Sequence, residues 1–129
     1  MTSRLQWVLC LSAIIALGIL SRTVHTGLVL LDKYLGDALY AAMVYAILRL
    51  FWMSRALGIY AMGVMIVIEV FQLSMIPSRM LTSGHWLVRI SARLMGTEFS
   101  LLDLLAYAVG ICCICLADLR PRAAQALGR

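Results

Sequence analysis

Glu69 is the residue most able to do chemistry in this sequence. It stands inside an apolar run from Ala56 to Ile76, seven residues before the end of that run. On an α-helix this places the carboxyl about 10 Å inside the helix end. An ionisable group near the bilayer centre costs about 2.5–3.5 kcal/mol on insertion scales and usually faces a protein interior. Such an acid either ionises to exchange a proton or meet a cation, or stays hydrogen-bonded and locks neighbouring helices. Gln72 follows three residues later on the same helical face. The resulting E-x-x-Q aims an acid and an amide into one groove. As a purely interhelical hydrogen bond, Gln72 would contribute about 0.6 kcal/mol.

Two further groups share this character. Asp32, Lys33 and Asp37 open a second apolar run. Lys33 and Asp37 have i, i+4 spacing and could bridge each other, and Asp32 fits an N-cap. Asp103, Tyr107 and Gly110 lie along one face of a later run, and Ser100 with Asp103 makes a capping box, S-x-x-D. Topology joins the groups. The second helix starts, the third ends and the fourth starts on one side of the membrane. Asp37, Glu69, Gln72 and Asp103 then fall in one leaflet, with Arg79 at the same mouth. Three acids, an amide and an arginine make a candidate polar pocket. Independent helix caps explain Asp32 and Asp103 but not Glu69.

Other reactive residue types are better read as structural. Cys10, Cys112, Cys113 and Cys115 all lie in apolar runs, where cysteine behaves as a small hydrophobe. Cys112 and Cys115 form a C-x-x-C, but it sits in an apolar helix without the electropositive surroundings of a redox pair. His25 and His85 lack metal-ligand spacing with any other His or Cys, so no metal and no cofactor is expected.

The elements that must position these groups are helices. Leu5 to Leu20 carries no charge and covers about 24 Å, short for a bilayer core of about 30 Å. It reads as an uncleaved first helix, over about 5–21, in preference to a signal peptide. The second helix spans about 33–53. Its Ala38, Ala42 and Ala46 form a small-xxx-small seam for close helix approach, and Arg49 and Arg55 flank Trp52 at an interface. The third covers about 56–76, with Pro77 as its stop. Between about 83 and 95, Trp86, Leu87, Ile90 and Leu94 share one face and Arg89 and Arg93 another. That pattern predicts a short helix lying in the membrane surface, ended by Gly96. The fourth spans about 101–118, before a breaking tail at Arg120-Pro121-Arg122. The fold class is therefore all-α, a polytopic bundle of four transmembrane helices plus one interfacial helix, in a single domain over 1–129.

Composition agrees. Of 129 residues, 64% are hydrophobic and 13% charged, against roughly 45–50% and 25% in soluble domains. A soluble chain this small has too little interior to hide so much apolar surface. The net charge of +5 does not point to nucleic acid, because the basic residues sit at the ends of apolar runs, where they reach lipid headgroups. With four spans, Arg4, Arg49, Arg55, Arg120, Arg122 and Arg129 lie on one side, and Arg22, Lys33, Arg79, Arg89 and Arg93 on the other. Six against five places both termini in the cytoplasm by the positive-inside rule.

The segments DKYLGDALYA (Asp32–Ala41), E-V-F-Q (Glu69–Gln72), Arg79 and D-L-L-A-Y-A-V-G (Asp103–Gly110) resemble the VanZ-like membrane proteins, in particular a small bacterial branch classed as a domain of unknown function. The resemblance covers roughly Leu17 to Leu116. It implies four helices in a bacterial cytoplasmic membrane. Its marked positions are Asp32, Lys33, Glu69, Gln72, Arg79 and Asp103. Tyr34 stands where many relatives carry a polar residue.

The functional expectation is a non-enzymatic membrane protein that binds a polar or lipid-linked cell-envelope component in an outer-leaflet pocket lined by these residues and Asp37. Membrane lipids, a lipid-linked envelope precursor or an amphiphilic drug are the expected partners, and an oligomer is compatible with the seams. The alternatives are a structural or assembly subunit without ligand, and a small proton-coupled exporter using Glu69. An enzyme fits less well, because no nucleophile–base arrangement or phosphate-binding glycine loop is present.

Overall fold

The computed structural model describes residues 4–24, 27–28, 30–52, 56–95 and 100–127. Every regular element among them is helical. The order is α1 (Arg4–Thr23), a π-helical turn (Leu30–Tyr34), α2 (Leu35–Phe51), α3 (Leu57–Leu73), α4 (Ile76–Met80), α5 (Trp86–Met95) and α6 (Leu101–Leu127). Among the described residues, three segments are long and apolar enough to cross a membrane: Arg4–Thr23, Asp32–Phe51 and Leu101–Leu119. The 17-residue α3 is apolar but shorter.

The core lies between α2, α3 and α6. Ala41, Ala42, Tyr45 and Ala46 of α2 meet Leu57, Ala61 and Met65 of α3 and Tyr107, Ile111 and Ile114 of α6. Trp7 is the one buried residue of α1. The small residues of α2 set the spacing. Gly110 of α6 lies so close to α2 that an added Cβ would overlap the Ala38 carbonyl oxygen and stand 2.7 Å from its carbon. Only a glycine allows two helix backbones to approach so closely. Trp7 packs on Tyr45, Gly58 of α3 faces Cys115, and Glu69 of α3 meets Tyr107. Tyr45 of α2 also meets Asp118 of α6, and Arg22 of α1 meets Asp37 of α2, so α2 and α6 run parallel and α1 and α3 run antiparallel to both.

Polarity is arranged inside out. Ile59 and Val67 of α3 are 76% and 68% exposed, while Glu69 on the same helix is 1% exposed. Leu9, Leu105 and Val109 also face outward. A bundle with apolar residues outside and charges within suits hydrocarbon, not water. Hydroxyls along the helices are satisfied locally, as Ser12 donates to the Val8 carbonyl at 2.9 Å and Ser21 to that of Gly18 at 2.8 Å.

Several helix boundaries differ from the sequence expectation. The third helix stops at Leu73, not near Ile76, because Met75 takes a left-handed conformation (φ 57°). Pro77 does not end that helix. It sits in the first turn of α4, where its missing N–H costs nothing. The second helix is preceded by the π-helical turn from Leu30, three residues ahead of its expected start. α6 continues past Leu119 to Leu127, straight through the Arg120-Pro121-Arg122 segment expected to break it. The proline removes one N–H without ending the helix. α5 begins at Trp86, and Gly96, its expected terminator, lies outside the described residues, as do Arg55 and His25.

Candidate functional site

One end of the bundle gathers the start of α2, the end of α3 and the start of α6. Glu69 is aimed inward by its place on the Leu57–Ala61–Met65–Glu69–Gln72 face of α3, all of it buried. Its Oε1 accepts a hydrogen bond from the Tyr107 hydroxyl at 2.6 Å. Its Oε2 lies 3.5 Å from the Ser100 amide, which donates to it. The capping box would give this amide to Asp103. Glu69 takes it instead, so an acid from α3 sits at the mouth of α6. Gln72 is buried on the same face of α3.

Lys33 does not bridge to Asp37. Its ammonium pairs with Asp103 Oδ1 at 3.1 Å, tying the π-helical turn to α6, and it also lies 5.4 Å from the Tyr34 ring centre. The turn explains the choice. A π-helical register displaces Lys33 from the i, i+4 alignment that a regular α-helix would give it with Asp37. Asp37 instead faces Arg22 of α1 at 4.0 Å, the outer limit of an ion pair. Its buried Oδ2 has no hydrogen-bond partner among the described residues. Asp37 also lies within electrostatic reach of Asp103, Lys33 and Glu69. Asp32 does not cap α2. Its Oδ2 accepts the Gly27 amide at 3.1 Å and closes the turn that Gly27 makes with φ 80°. Arg79 is exposed on α4 and takes no part in these ion pairs.

Lys33, Asp37, Glu69, Gln72 and Asp103 thus meet at one end, joined by Arg22 and Tyr107. The signs are layered. Side-chain exposure is 49% for Lys33 and 70% for Arg22, but 9% for Asp103 and 15% for Asp37. The cations are accessible and the acids lie beneath them.

A second polar node lies at the opposite end, and sequence reasoning missed it. Arg49, expected at the membrane surface beside Trp52, is buried. Its Nε donates to Asp118 Oδ2 at 3.1 Å, with side-chain exposures of 4% and 3%. The Tyr45 hydroxyl donates to the same oxygen at 3.0 Å, and the guanidinium lies 5.7 Å from the Trp7 ring centre. Tyr45 and Arg49 share the Ala42–Ala46 face of α2, and that spacing was the available signal. The four cysteines are free, with Cys112 and Cys113 exposed on α6. Among the described residues no group of three or more His, Cys, Asp or Glu side chains could hold a metal.

Most of the first node, all but Arg22, falls in the region matched by a family profile, that of a protein of unknown function, DUF2809, over residues 27–111. The chain belongs to the DUF2809 family. The matched region opens at Gly27 in the turn closed by Asp32 and ends just past Gly110, so Lys33, Asp37, Glu69, Gln72, Arg79, Asp103 and Tyr107 all fall within it. Asp118 of the second node lies beyond it, as does Trp7. No curated protein and no solved structure matches the chain.

Proposed function

We propose that this DUF2809 protein is a four-span bacterial membrane protein that binds the polar headgroup of a lipid-linked envelope component at the Lys33–Asp103 end of the bundle. It acts by binding, not by catalysing a reaction. The carrying observation is the buried Glu69 of α3, gathered at one end with Lys33 of the π-helical turn, Asp37 of α2 and Asp103 and Tyr107 of α6 in a bundle whose outer faces are apolar. Desolvating so many charges is costly unless they act together.

The position of α3 supports a fourth span. It packs antiparallel along α6 from Gly58 beside Cys115 to Glu69 beside Tyr107, so it shares the depth of a helix that is long enough to cross. α5 supports an interfacial position. Ala92 is buried, while Trp86, Leu87 and Ile90 turn outward with Arg89 and Arg93 beside them. The VanZ-like resemblance, on the same Asp-Lys, E-x-x-Q and Asp positions, favours a place in the cell envelope.

A second reading, a scaffold without ligand, is favoured by one contact, the 2.6 Å bond from Tyr107 that occupies Glu69. Glu69→Gln separates the two. The amide oxygen still accepts from Tyr107 and the volume is kept, so melting in detergent should fall by no more than about 1 kcal/mol, the worth of one hydrogen bond. If the carboxylate serves a ligand, the variant folds yet fails to restore the envelope-stress or drug-sensitivity phenotype of a deletion strain. Full complementation establishes the scaffold.

A further inference from the structure

We propose that the group received at this end is a phosphate carried by a membrane lipid or lipid-linked component, and that Lys33 and Arg22 receive it. The inference rests on the binding reading above and names its chemistry. An approaching ligand meets cations first, because Lys33 and Arg22 are the exposed members of their pairs and Asp103 and Asp37 the covered ones. Lys33 carries three donors and is held by Asp103 as an ion pair at 3.1 Å. Arg22 carries five and is held only loosely, at 4.0 Å from Asp37. Both therefore keep outward donors in a form suited to phosphate oxygens.

The surroundings reinforce the sign. The parallel helices α2 and α6 both begin at this end, and helix N-termini favour negative charge. Arg79, Arg89 and Arg93 follow the end of α3 on this side and are exposed. Lys33 also stands at the start of the Asp32–Phe51 apolar segment, the end that would meet lipid headgroups if that segment spans. The buried acids then have a definite part. Asp103 and Asp37 hold the two cations in place without ligand and compete with the phosphate for them.

That competition gives opposite expectations for the two halves of one pair. The full-length protein in a neutral detergent is titrated with phosphatidic acid and binding is followed by thermal melting. Lys33→Gln should weaken apparent binding about tenfold, the loss of one charge-assisted contact. Asp103→Asn should strengthen it, because Lys33 is released to the ligand. The double variant Lys33→Gln with Asp103→Asn leaves a neutral pair, and should fold and bind as weakly as Lys33→Gln alone. A merely structural pair would weaken binding in both single variants, and that result overturns the proposal. So does equal binding of diacylglycerol, which has the same acyl chains and no phosphate, or no response to phosphatidic acid. Inorganic phosphate that protects as well as the lipid, with the same dependence on Lys33, overturns the lipid source and keeps the phosphate chemistry. A neutral glycolipid that binds through Glu69 and ignores Lys33→Gln overturns the phosphate while the binding reading stands.

Discussion

At the residue scale, the instructive pair is Arg49 and Asp118. Beside Trp52 the arginine has the signature of a membrane interface, yet its guanidinium is enclosed by Asp118, Tyr45 and Trp7. Removing one charge of a buried pair strands the other, at about 3–5 kcal/mol, whereas replacing both with apolar groups is often neutral. Asp118→Asn should therefore lower detergent melting sharply. Adding Arg49→Met should recover most of the loss. If the double variant falls by the sum of the single losses, the two residues are not an energetic unit. Asp118 was not legible as a partner because it lies 69 positions from Arg49, and sequence spacing says nothing about which helices meet. Glu69 was legible, because an acid deep in an apolar run has few places to go. Its actual partner, the Tyr107 hydroxyl, required knowing that α3 and α6 lie side by side.

At the element scale, the apolar runs located the helices, and the alanine seam on α2 pointed to a close approach. What the pattern could not give was where helices stop. Proline was read as a terminator at two places. Pro77 starts α4 and Pro121 lies within α6, because a proline in a first turn loses no bond and one within a long helix loses only one. The π-helical turn was also invisible to periodicity, and it redirects Lys33 from Asp37 to Asp103. The α2–α6 approach at Ala38 and Gly110 bears on both polar nodes, since Arg49 joins α2 to Asp118 of α6 and Lys33 ties the turn that precedes α2 to Asp103 of α6. Gly110→Ala places a methyl against the Ala38 backbone, which cannot rotate away as a side chain would. Overpacking of this kind costs about 1–3 kcal/mol. The variant should melt lower in detergent, and cysteine cross-linking across α2 and α6 should slow as the helices part. Gly63 of α3 has open space around it, so Gly63→Ala should melt as the parent does. Equal losses at both glycines would deny that the crossing is tight.

At the scale of the whole molecule, the open question is whether α3 crosses the membrane. Its 17 residues cover about 25 Å, less than a typical hydrocarbon core of about 30 Å. Length alone would make it a buried half-span. Its register argues otherwise. Gly58 lies against Cys115 and Glu69 against Tyr107, so α3 keeps pace with α6 while running in the opposite direction. On the proposed four-span topology α3 would end near the opposite face from its start, and snorkelling or local thinning would cover a mismatch of a few ångströms. Charge does not decide the orientation. With Arg49 withdrawn into the core, the basic residues on the two sides balance, and the positive-inside rule loses its margin. Compartment reporters fused after Trp52, after Ser83 and at Arg129 test the topology directly. Four spans require the signals at Trp52 and Arg129 to agree and the one at Ser83 to be opposite. With cytoplasmic termini, an alkaline phosphatase reporter should be active only at Ser83. Agreement between Trp52 and Ser83 would remove α3 as a span, and would place the α2 start and the α3 end on different sides. The Lys33–Asp103 pair and Glu69 could not then share a membrane face, and the binding site proposed here would fall with the topology.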